Sequence, residues 1–236
     1  MTTITIHQPQ YMPWPAYFDK ILRSDIFVLL DDVQFNKNGL QNRNKIKTSQ
    51  GESWLTLPVK HSFGQKINEV EIDNRFKEKH LRSIKMNYSK AQYFNETYSI
   101  VESVLNKNSN NLSQISTSII KNILDYLEYD GEVVFSSSLF INSTGSDLVL
   151  DICKSLKADK YLSGLGALSY LEQRDFDRDN IEIEFQKFSL VEYSQCFSKI
   201  GFAPDLSIMD LLFNEGKNSI GIMQSGSCNF LTELEK

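Results

Sequence analysis

The first 32 residues contain two strand-like segments separated by one amphipathic helical segment. Residues 3–7 alternate between apolar and polar types, as a β-strand does. From Trp14 onward, apolar residues recur at positions 17, 18, 21 and 22, which form one face of an α-helix. Residues 25–30 then form an almost uninterrupted apolar run, typical of a strand buried on both faces of a parallel sheet. This order predicts a βαβ unit with a right-handed crossover, so the ends of both strands should be neighbours.

The same alternation returns in the second half of the chain. We expect helices over 97–106, 112–128 and 147–156, and strands over 132–135, 160–164 and 181–188. Between them, residues 36–95 differ: strands are expected over 54–59 and 67–72, and a helix over 80–88. The sequence therefore predicts one α/β domain over 1–236. Its sheet should be Rossmann-like and mainly parallel, with helices on both faces and a β-rich insertion or flap at 36–95. The last ten residues are polar and are expected to fray.

Composition excludes several classes of protein. The 236 residues are 41% hydrophobic and 23% charged, as in ordinary globular proteins, and the net charge of −5 favours no nucleic-acid partner. Nothing at the N-terminus resembles a secretory signal, and no window approaches the ~20 apolar residues of a membrane span. The three cysteines are odd in number and widely spaced, which disfavours a disulfide framework or a zinc site. We expect a cytoplasmic protein.

The turn after the first strand is the first candidate site. His7 ends that strand, and its ordinary pKa near neutrality suits a general acid or base, or a phosphate ligand. Gln8 and Tyr11 lie close by, and three prolines stiffen the turn. A histidine that only caps the strand is the alternative. Trp14 and Tyr17 could stack on a nucleobase or sugar, or could equally belong to the core.

Two carboxylates, Asp31 and Asp32, end the second strand, and Gln34 follows them. An acidic residue at this place in doubly wound folds commonly binds ribose hydroxyls or a divalent cation. Neighbouring strand residues point to opposite faces, so one of the two should project into a given cleft unless the backbone turns. A solvated strand end is the alternative interpretation.

Basic and hydroxyl groups supply candidate phosphate ligands. Arg43 offers a planar guanidinium fork and Lys45 a point charge. The alternative is that these basic residues lie on a solvated loop face. Ser138 and Ser163 follow predicted strands, where hydroxyls and backbone amides bind anions readily. The chain has no P-loop, dinucleotide fingerprint, G-x-S-x-G elbow or HExxH motif, which disfavours serine hydrolysis and zinc proteolysis.

Three segments of the N-terminal part closely resemble the WbqC-like family, and looser matches continue through Trp54–Leu55, 161–164 and 207–214. The close segments are His7-Gln-Pro-x-Tyr11-x-Pro13-Trp14-x-x-Tyr17-Phe-x-Lys20-Ile21, Ser24-Asp25-x-Phe27-Val28-x-x-Asp31-Asp32-Val-Gln34-Phe35 and Asn42-Arg43-Asn-Lys45-Ile46-Lys47. The family usually has glycine where this chain has Ala16, so the backbone at that turn should be less accessible. The resemblance implies a place in bacterial O-antigen, capsule or related surface-polysaccharide biosynthesis, and hence nucleotide-linked sugars, often amino sugars.

Our leading hypothesis is an enzyme that transfers an acyl or aminoacyl group to a nucleotide-linked amino sugar. His7 would take the proton from the attacking amine, helped by Tyr11 or Gln8. Asp31 or Asp32 would contact sugar hydroxyls or a metal, and Arg43 and the backbone amides at the strand ends would hold the pyrophosphate. The co-substrate would be an activated acyl donor. Nucleotidyl transfer or ligation with ATP and magnesium, glycosyl transfer, and a non-catalytic sugar-nucleotide-binding or scaffolding role are the alternatives. No resident metal site is predicted, and a homodimer stays open.

Overall fold

A six-stranded sheet forms the centre of the computed structural model, which describes residues 1–107 and 109–231. Its strands are β1 (Thr3–His7), β2 (Ile26–Leu29), β7 (Glu132–Phe135), β8 (Lys160–Gly164), β9 (Glu182–Phe188) and β10 (Ser227–Leu231). They are ordered β10-β9-β8-β1-β2-β7, and every neighbouring pair is parallel except β9–β10. The five parallel strands confirm the predicted Rossmann-like sheet.

Eight α-helices and two small hairpins complete the described part of the chain. The helices are α1 (Pro15–Leu22), α2 (Lys77–Tyr88), α3 (Phe94–Leu105), α4 (Leu112–Tyr126), α5 (Gly145–Ser155), α6 (Gln173–Asp177), α7 (Ile208–Glu215) and α8 (Ser219–Gly226). The hairpins pair β3 (Arg43–Thr48) with β4 (Gly51–Thr56), and β5 (Val59–Lys60) with β6 (Glu71–Ile72). Both hairpins lie between β2 and α2, inside the segment predicted as an insertion.

Two apolar clusters cover the two faces of the sheet. On one face, Phe27 and Leu29 of β2 pack with α1, α3, α4 and α7. On the other face, Ile4 and Ile6 of β1 and Val28 of β2 pack with α5 and α6. Because side chains of a strand alternate between faces, β2 is apolar at consecutive positions, whereas in β1 the apolar Ile4 and Ile6 alternate with threonines. The buried run in β2 is therefore the sequence signal of a sheet covered on both sides.

Two local predictions were wrong. Residues 67–72 form a 3₁₀ turn over Ile67–Glu69 and only the two-residue strand β6. The alternation that suggested a strand buries Ile67, Val70 and Ile72 against the main core instead. The last ten residues do not all fray, because β10 pairs antiparallel with β9 from Ser227 to Leu231; residues 232–236 lie outside the described part.

Candidate functional site

The sheet changes direction between β1 and β8. From β1 the chain continues to β2 on one side, whereas from β8 it continues to β9 on the other side. In open α/β sheets, ligands bind at the carboxyl ends of the strands at such a switch point. A cavity of about 250 Å³ opens there, and we call it the switch-point cavity. Its polar lining comes from His7, Gln8, Tyr161, Ser163, Gly164 and Tyr170.

His7 is half-buried at the end of β1 and is held in place by aromatic rings. Its ring centroid lies 4.6 Å from that of Tyr17 and 5.7 Å from that of Trp14. Burial, and then the nearby Lys20 charge, lower the pKa of His7 to about 3, against a smaller opposing effect of its contact with the Gln8 carbonyl. Nδ1 lies 3.3 Å from that carbonyl oxygen, so the neutral ring donates from Nδ1 and keeps Nε2 as its acceptor.

Lys20 of α1 lies near the switch-point cavity but does not line it. Its side chain is 3% exposed, and Nζ makes one long hydrogen bond, 3.4 Å, to the Ile6 carbonyl oxygen. Nζ is also 4.0 Å from the position that a Cβ on Gly164 would take. Burial lowers the pKa of Lys20 to about 7. Within residues 1–107 and 109–231, no carboxylate forms an ion pair with it. The protein thus buries an amine without an anionic partner, and its lowered pKa leaves this amine about half protonated near pH 7.

A second cavity, of about 560 Å³, lies at the start of α1 beside the β3–β4 hairpin, and we call it the hairpin cavity. Trp14, Lys45, Trp54, Phe188 and Asp205 are among its lining residues. Trp14 is the N-cap residue of α1, and no side chain caps that end. Since the Trp14 ring contacts the ring of His7, the hairpin cavity and the switch-point cavity are neighbours.

The two basic residues predicted as phosphate ligands both lie beside Trp54. The Arg43 guanidinium carbon is 4.4 Å from the Trp54 ring centroid, and Nη2 donates to the Asn38 carbonyl oxygen at 2.5 Å. The Lys45 ammonium forms a 2.5 Å ion pair with Glu52 and lies 5.5 Å from the same ring. Trp54 itself is 44% exposed. The hairpin therefore presents an aromatic surface with two cations at its rim.

The acid pair lies at the neighbouring strand end but belongs to another cavity. The Leu30 amide donates to the His7 carbonyl oxygen at 2.9 Å, so the predicted proximity of the two strand ends is confirmed. Asp31, however, lines a cavity beside α4, whereas His7 lines the switch-point cavity. The expectation of one shared hollow is therefore wrong. The reason is that the Asp31 carboxylate turns toward the loop after β7.

Asp31 is buried and well supplied with hydrogen-bond donors. Its carboxylate accepts from Ser136 Oγ at 3.3 Å, from the Ser137 amide at 3.1 Å, from Ser137 Oγ at 3.0 Å and from Asn68 Nδ2 at 3.3 Å. The Ser136 hydroxyl has a single proton, which Asp31 shares with Asp32. No group of three or more His, Cys, Asp or Glu side chains arranged for a metal ion occurs in the described part of the chain.

The remaining predicted residues divide into those near a cavity and those away from one. Ser163 is buried and lines the switch-point cavity. Ser138 is exposed and donates to the Phe135 carbonyl oxygen, so Ser136 and Ser137 are the serines that meet the acid pair. Gln34 is exposed beside Lys66. Tyr11 is fully buried with its hydroxyl 2.9 Å from His80 Nδ1, which keeps it away from the switch-point cavity.

Tyr17 and Gln8 position the turn after β1. The Tyr17 hydroxyl donates to the Gln8 carbonyl oxygen at 3.1 Å, and Tyr17 is otherwise buried. The Gln8 side-chain oxygen accepts from Gln41 Nε2 at 2.7 Å. These contacts hold His7 between the Tyr17 ring and the cavity. The sequence analysis assigned no role to Lys20. Its position at the edge of the apolar face of α1 was the signal that it could be buried.

A family model of the WbqC-like protein family matches residues 8–222. The chain belongs to the WbqC-like family. An uncharacterized protein of Mycobacterium tuberculosis, Rv1507c, is similar to it: the two are 36% identical over 221 residues, which cover 92% of this chain and 95% of the relative. The helices of this WbqC-like chain, within its described residues, lack the length and apolarity required to cross a membrane.

The C-terminal segment of the WbqC-like resemblance has a structural role. Ser207 caps α7 by accepting from the Met209 amide, and its own amide donates to the Lys45 carbonyl oxygen at 2.9 Å. Asp210 is fully buried and accepts the hydroxyls of Tyr88 at 2.7 Å and Tyr193 at 2.8 Å. This part of the motif therefore fastens the β3–β4 hairpin to α7 and helps to fix the hairpin cavity.

Proposed function

We propose that this WbqC-like protein is an enzyme that binds a nucleotide-linked amino sugar across the switch-point and hairpin cavities and transfers an acyl or aminoacyl group to the sugar amine. The observation that carries the proposal is the buried Lys20 amine near the switch-point cavity, which has no carboxylate partner among the described residues. A buried charge is costly unless it is paired. An anionic ligand at the switch point would supply the missing partner.

The two cavities suit the parts of such a ligand. Each has the polar and aromatic lining of a small-molecule site, and together they reach the size range of ligand pockets. The uncapped N-terminus of α1 and Lys45 in the lining, with Arg43 next to Trp54, favour phosphate oxygens at the hairpin cavity. Trp14 and Trp54 offer faces for a nucleobase, as aromatic side chains do for stacked bases. The sugar would then lie toward His7.

In the transfer step, His7 Nε2 accepts the proton that the attacking amine loses. The amine nitrogen forms a bond to the acyl carbon, and the bond between that carbon and its leaving group breaks, with the electron pair departing on the leaving group. A pKa near 3 makes His7 a weak base in the free protein. A bound diphosphate would offset the Lys20 charge, which is the smaller of the two effects that lower the pKa of His7, and would raise that pKa in part.

Nucleotide binding to a Lys20→Met variant tests the proposal. The wild type should bind uridine or thymidine diphosphate and their amino-sugar conjugates, with a raised melting temperature, because a ligand at a hundred times its Kd adds about 2.7 kcal/mol. Lys20→Met should lose this binding. A Lys154→Met variant, which removes an exposed ammonium paired with Asp179, is the matched control and should bind normally.

Turnover separates the chemical alternatives. Incubation with an amino-sugar nucleotide and an activated acyl donor should give the N-acylated product in the wild type, and His7→Gln should bind the nucleotide sugar without forming that product. Release of pyrophosphate from a nucleoside triphosphate would favour nucleotidyl transfer instead. Tight binding with no product from any donor would favour a non-catalytic role. Failure of every nucleotide to bind contradicts the proposal.

A further inference from the structure

The β3–β4 hairpin has two outer edges, and its register shows which backbone groups lie on them. The Leu57 amide donates to the Asn42 carbonyl oxygen at 2.7 Å, so 42 and 57 are a directly hydrogen-bonded pair. Such pairs alternate along an antiparallel hairpin with pairs that are not hydrogen-bonded. The odd-numbered residues of β3 and the even-numbered residues of β4 therefore direct their backbone groups away from the partner strand.

The outer edge of β3 is covered by other parts of the protein. The Lys47 amide donates to the Tyr88 hydroxyl at 2.7 Å, and the Lys45 carbonyl oxygen accepts from the Ser207 amide at 2.9 Å. Both contacts confirm the outward direction that the register assigns to these residues of β3. Helices α2 and α7 thus occupy the side of β3 where a further strand would pair.

The outer edge of β4 is free. Within residues 1–107 and 109–231, the outward amides and carbonyl groups of Glu52 and Trp54 form no hydrogen bond to a neighbouring element. At Thr56 the carbonyl oxygen accepts from His80, and the amide has no partner in the same ranges. Natural proteins usually protect such an edge with Pro, Lys or a β-bulge. Residues 51–56 contain neither Pro nor Lys, and their register has no bulge.

A groove of about 680 Å³ follows this free edge, and we call it the β4 groove. Residues 53–56 line it consecutively, so the groove follows the backbone of β4 and not one set of alternating side chains. Its other side is a single face of α2 and the turn before it, at helical spacing: Phe76, Lys79, His80 and Ser83. The β4 groove therefore lies where a third strand of the hairpin would lie.

The charges around the β4 groove favour an acidic occupant. Arg75 forms an ion pair with Asp73, and Lys45 forms one with Glu52, so both carboxylates near the edge already have a cation. Lys79 is exposed, lines the groove and forms no ion pair in the described part of the chain. Its ammonium is the charge at the groove that a carboxylate of a partner can neutralise.

We propose that the β4 groove binds an extended, acidic peptide segment of a partner protein, which pairs with β4 as a third strand. The backbone of residues 52 and 54 supplies the hydrogen bonds, the buried Phe76 and His80 rings lie beneath the peptide, and Lys79 binds its acidic side chain. A row of backbone donors and acceptors selects another extended backbone over a small molecule. The inference goes beyond the proposed function and uses no residue of the switch-point cavity.

Two pairs of variants test the backbone and the charge separately. Thr56→Pro removes an outward amide that has no partner among the described residues, so this variant should fold normally, as edge strands tolerate proline. Thr56→Ala changes the same side chain and keeps the amide. Lys79→Glu reverses the charge at the groove, and Lys85→Glu reverses an exposed charge of α2 that does not line it.

The probe is a phage-displayed library of random heptapeptides selected on the wild-type protein, followed by titration of the selected sequences as synthetic peptides. Selection should enrich Asp or Glu among β-branched residues. Thr56→Pro should weaken binding of a selected peptide about tenfold, and Lys79→Glu about three- to tenfold. Thr56→Ala and Lys85→Glu should bind it as the wild type does.

Hydrogen exchange of the backbone amides locates the bound peptide. In the free protein, the outward amides of Glu52 and Trp54 should exchange faster than those of Ser53 and Leu55, which face β3. A saturating selected peptide should slow exchange at Glu52 and Trp54. This readout holds even where a variant fails to fold, because it uses the wild-type protein.

Four results would overturn the inference. No peptide is enriched, a selected peptide leaves exchange at Glu52 and Trp54 unchanged, Thr56→Pro binds it as tightly as Thr56→Ala, or replacing its acidic residues by amides leaves the affinity unchanged. A wild-type dimer in gel filtration that Thr56→Pro dissociates would place a second copy at the edge, which also contradicts a peptide partner. None of these measurements uses a nucleotide, so the proposed function is judged separately by Lys20→Met.

Discussion

At the scale of single residues, two basic side chains explain the character of the switch point. His7 and Lys20 both have pKa values lowered mainly by burial, and Lys20 lowers that of His7 further. The position of His7 could be predicted, because an apolar strand visibly ends there. The burial of Lys20 could not be predicted, because it depends on β8, which comes about 140 residues later in the chain and packs next to Lys20 at Gly164.

The pH dependence of stability should report the burial of Lys20. Its pKa is 10.5 in the ordinary case and about 7 in the folded protein. Between these values the unfolded chain holds a proton that the folded chain does not, so the free energy of unfolding rises with pH across this window. Lys20→Met lacks this effect. The variant should therefore be more stable than the wild type at pH 6, and the difference should shrink toward pH 10.

Urea unfolding of both proteins at pH 6, 8 and 10 measures that difference. The exposed-lysine variant Lys154→Met serves as the control for general charge effects. A stability difference between wild type and Lys20→Met that stays constant over the series would mean that Lys20 is hydrated and charged in the folded protein.

At the scale of elements, the site depends on how the β3–β4 hairpin is attached. The hairpin carries Arg43, Lys45 and Trp54, and one attachment passes through Tyr88 of α2. The Tyr88 hydroxyl accepts from the Lys47 amide at 2.7 Å and donates to Asp210 of α7 at 2.7 Å. Lys47 is itself 1% exposed, and its ammonium donates to Gln195 at 2.9 Å. The Tyr88 hydroxyl therefore connects β3, α2 and α7.

Tyr88→Phe should destabilise the protein by about 1–3 kcal/mol, because it leaves a buried amide and a buried carboxylate each short of a partner. Chemical denaturation measures this change. Tyr170→Phe, which removes a hydroxyl from a half-exposed ring, should change stability little and is the control. Equal stabilities of Tyr88→Phe and wild type would mean that water replaces both lost hydrogen bonds and that the attachment is not specific.

The elements of the main sheet were predictable to a greater extent than those between β2 and α2. A run such as 26–29 is apolar on both faces, and only a central strand needs that pattern. Residues 67–72 also alternate, but their three buried side chains, Ile67, Val70 and Ile72, can be buried by a turn as well as by a strand. Local periodicity does not distinguish a turn from a strand here, because the outcome depends on contacts with the segment after β2 and with the start of α4.

At the scale of the whole molecule, the sheet separates two cavities. The edge at which β1, β2 and β8 end places the switch-point cavity on the α5 face and the cavity lined by Asp31 on the α4 face. The sequence correctly predicted that the ends of β1 and β2 are neighbours. It could not predict to which side of the sheet edge the His7 and Asp31 side chains turn. Asp31 turns away from His7 because Ser136 and Ser137, supplied by the loop after β7, bind its carboxylate.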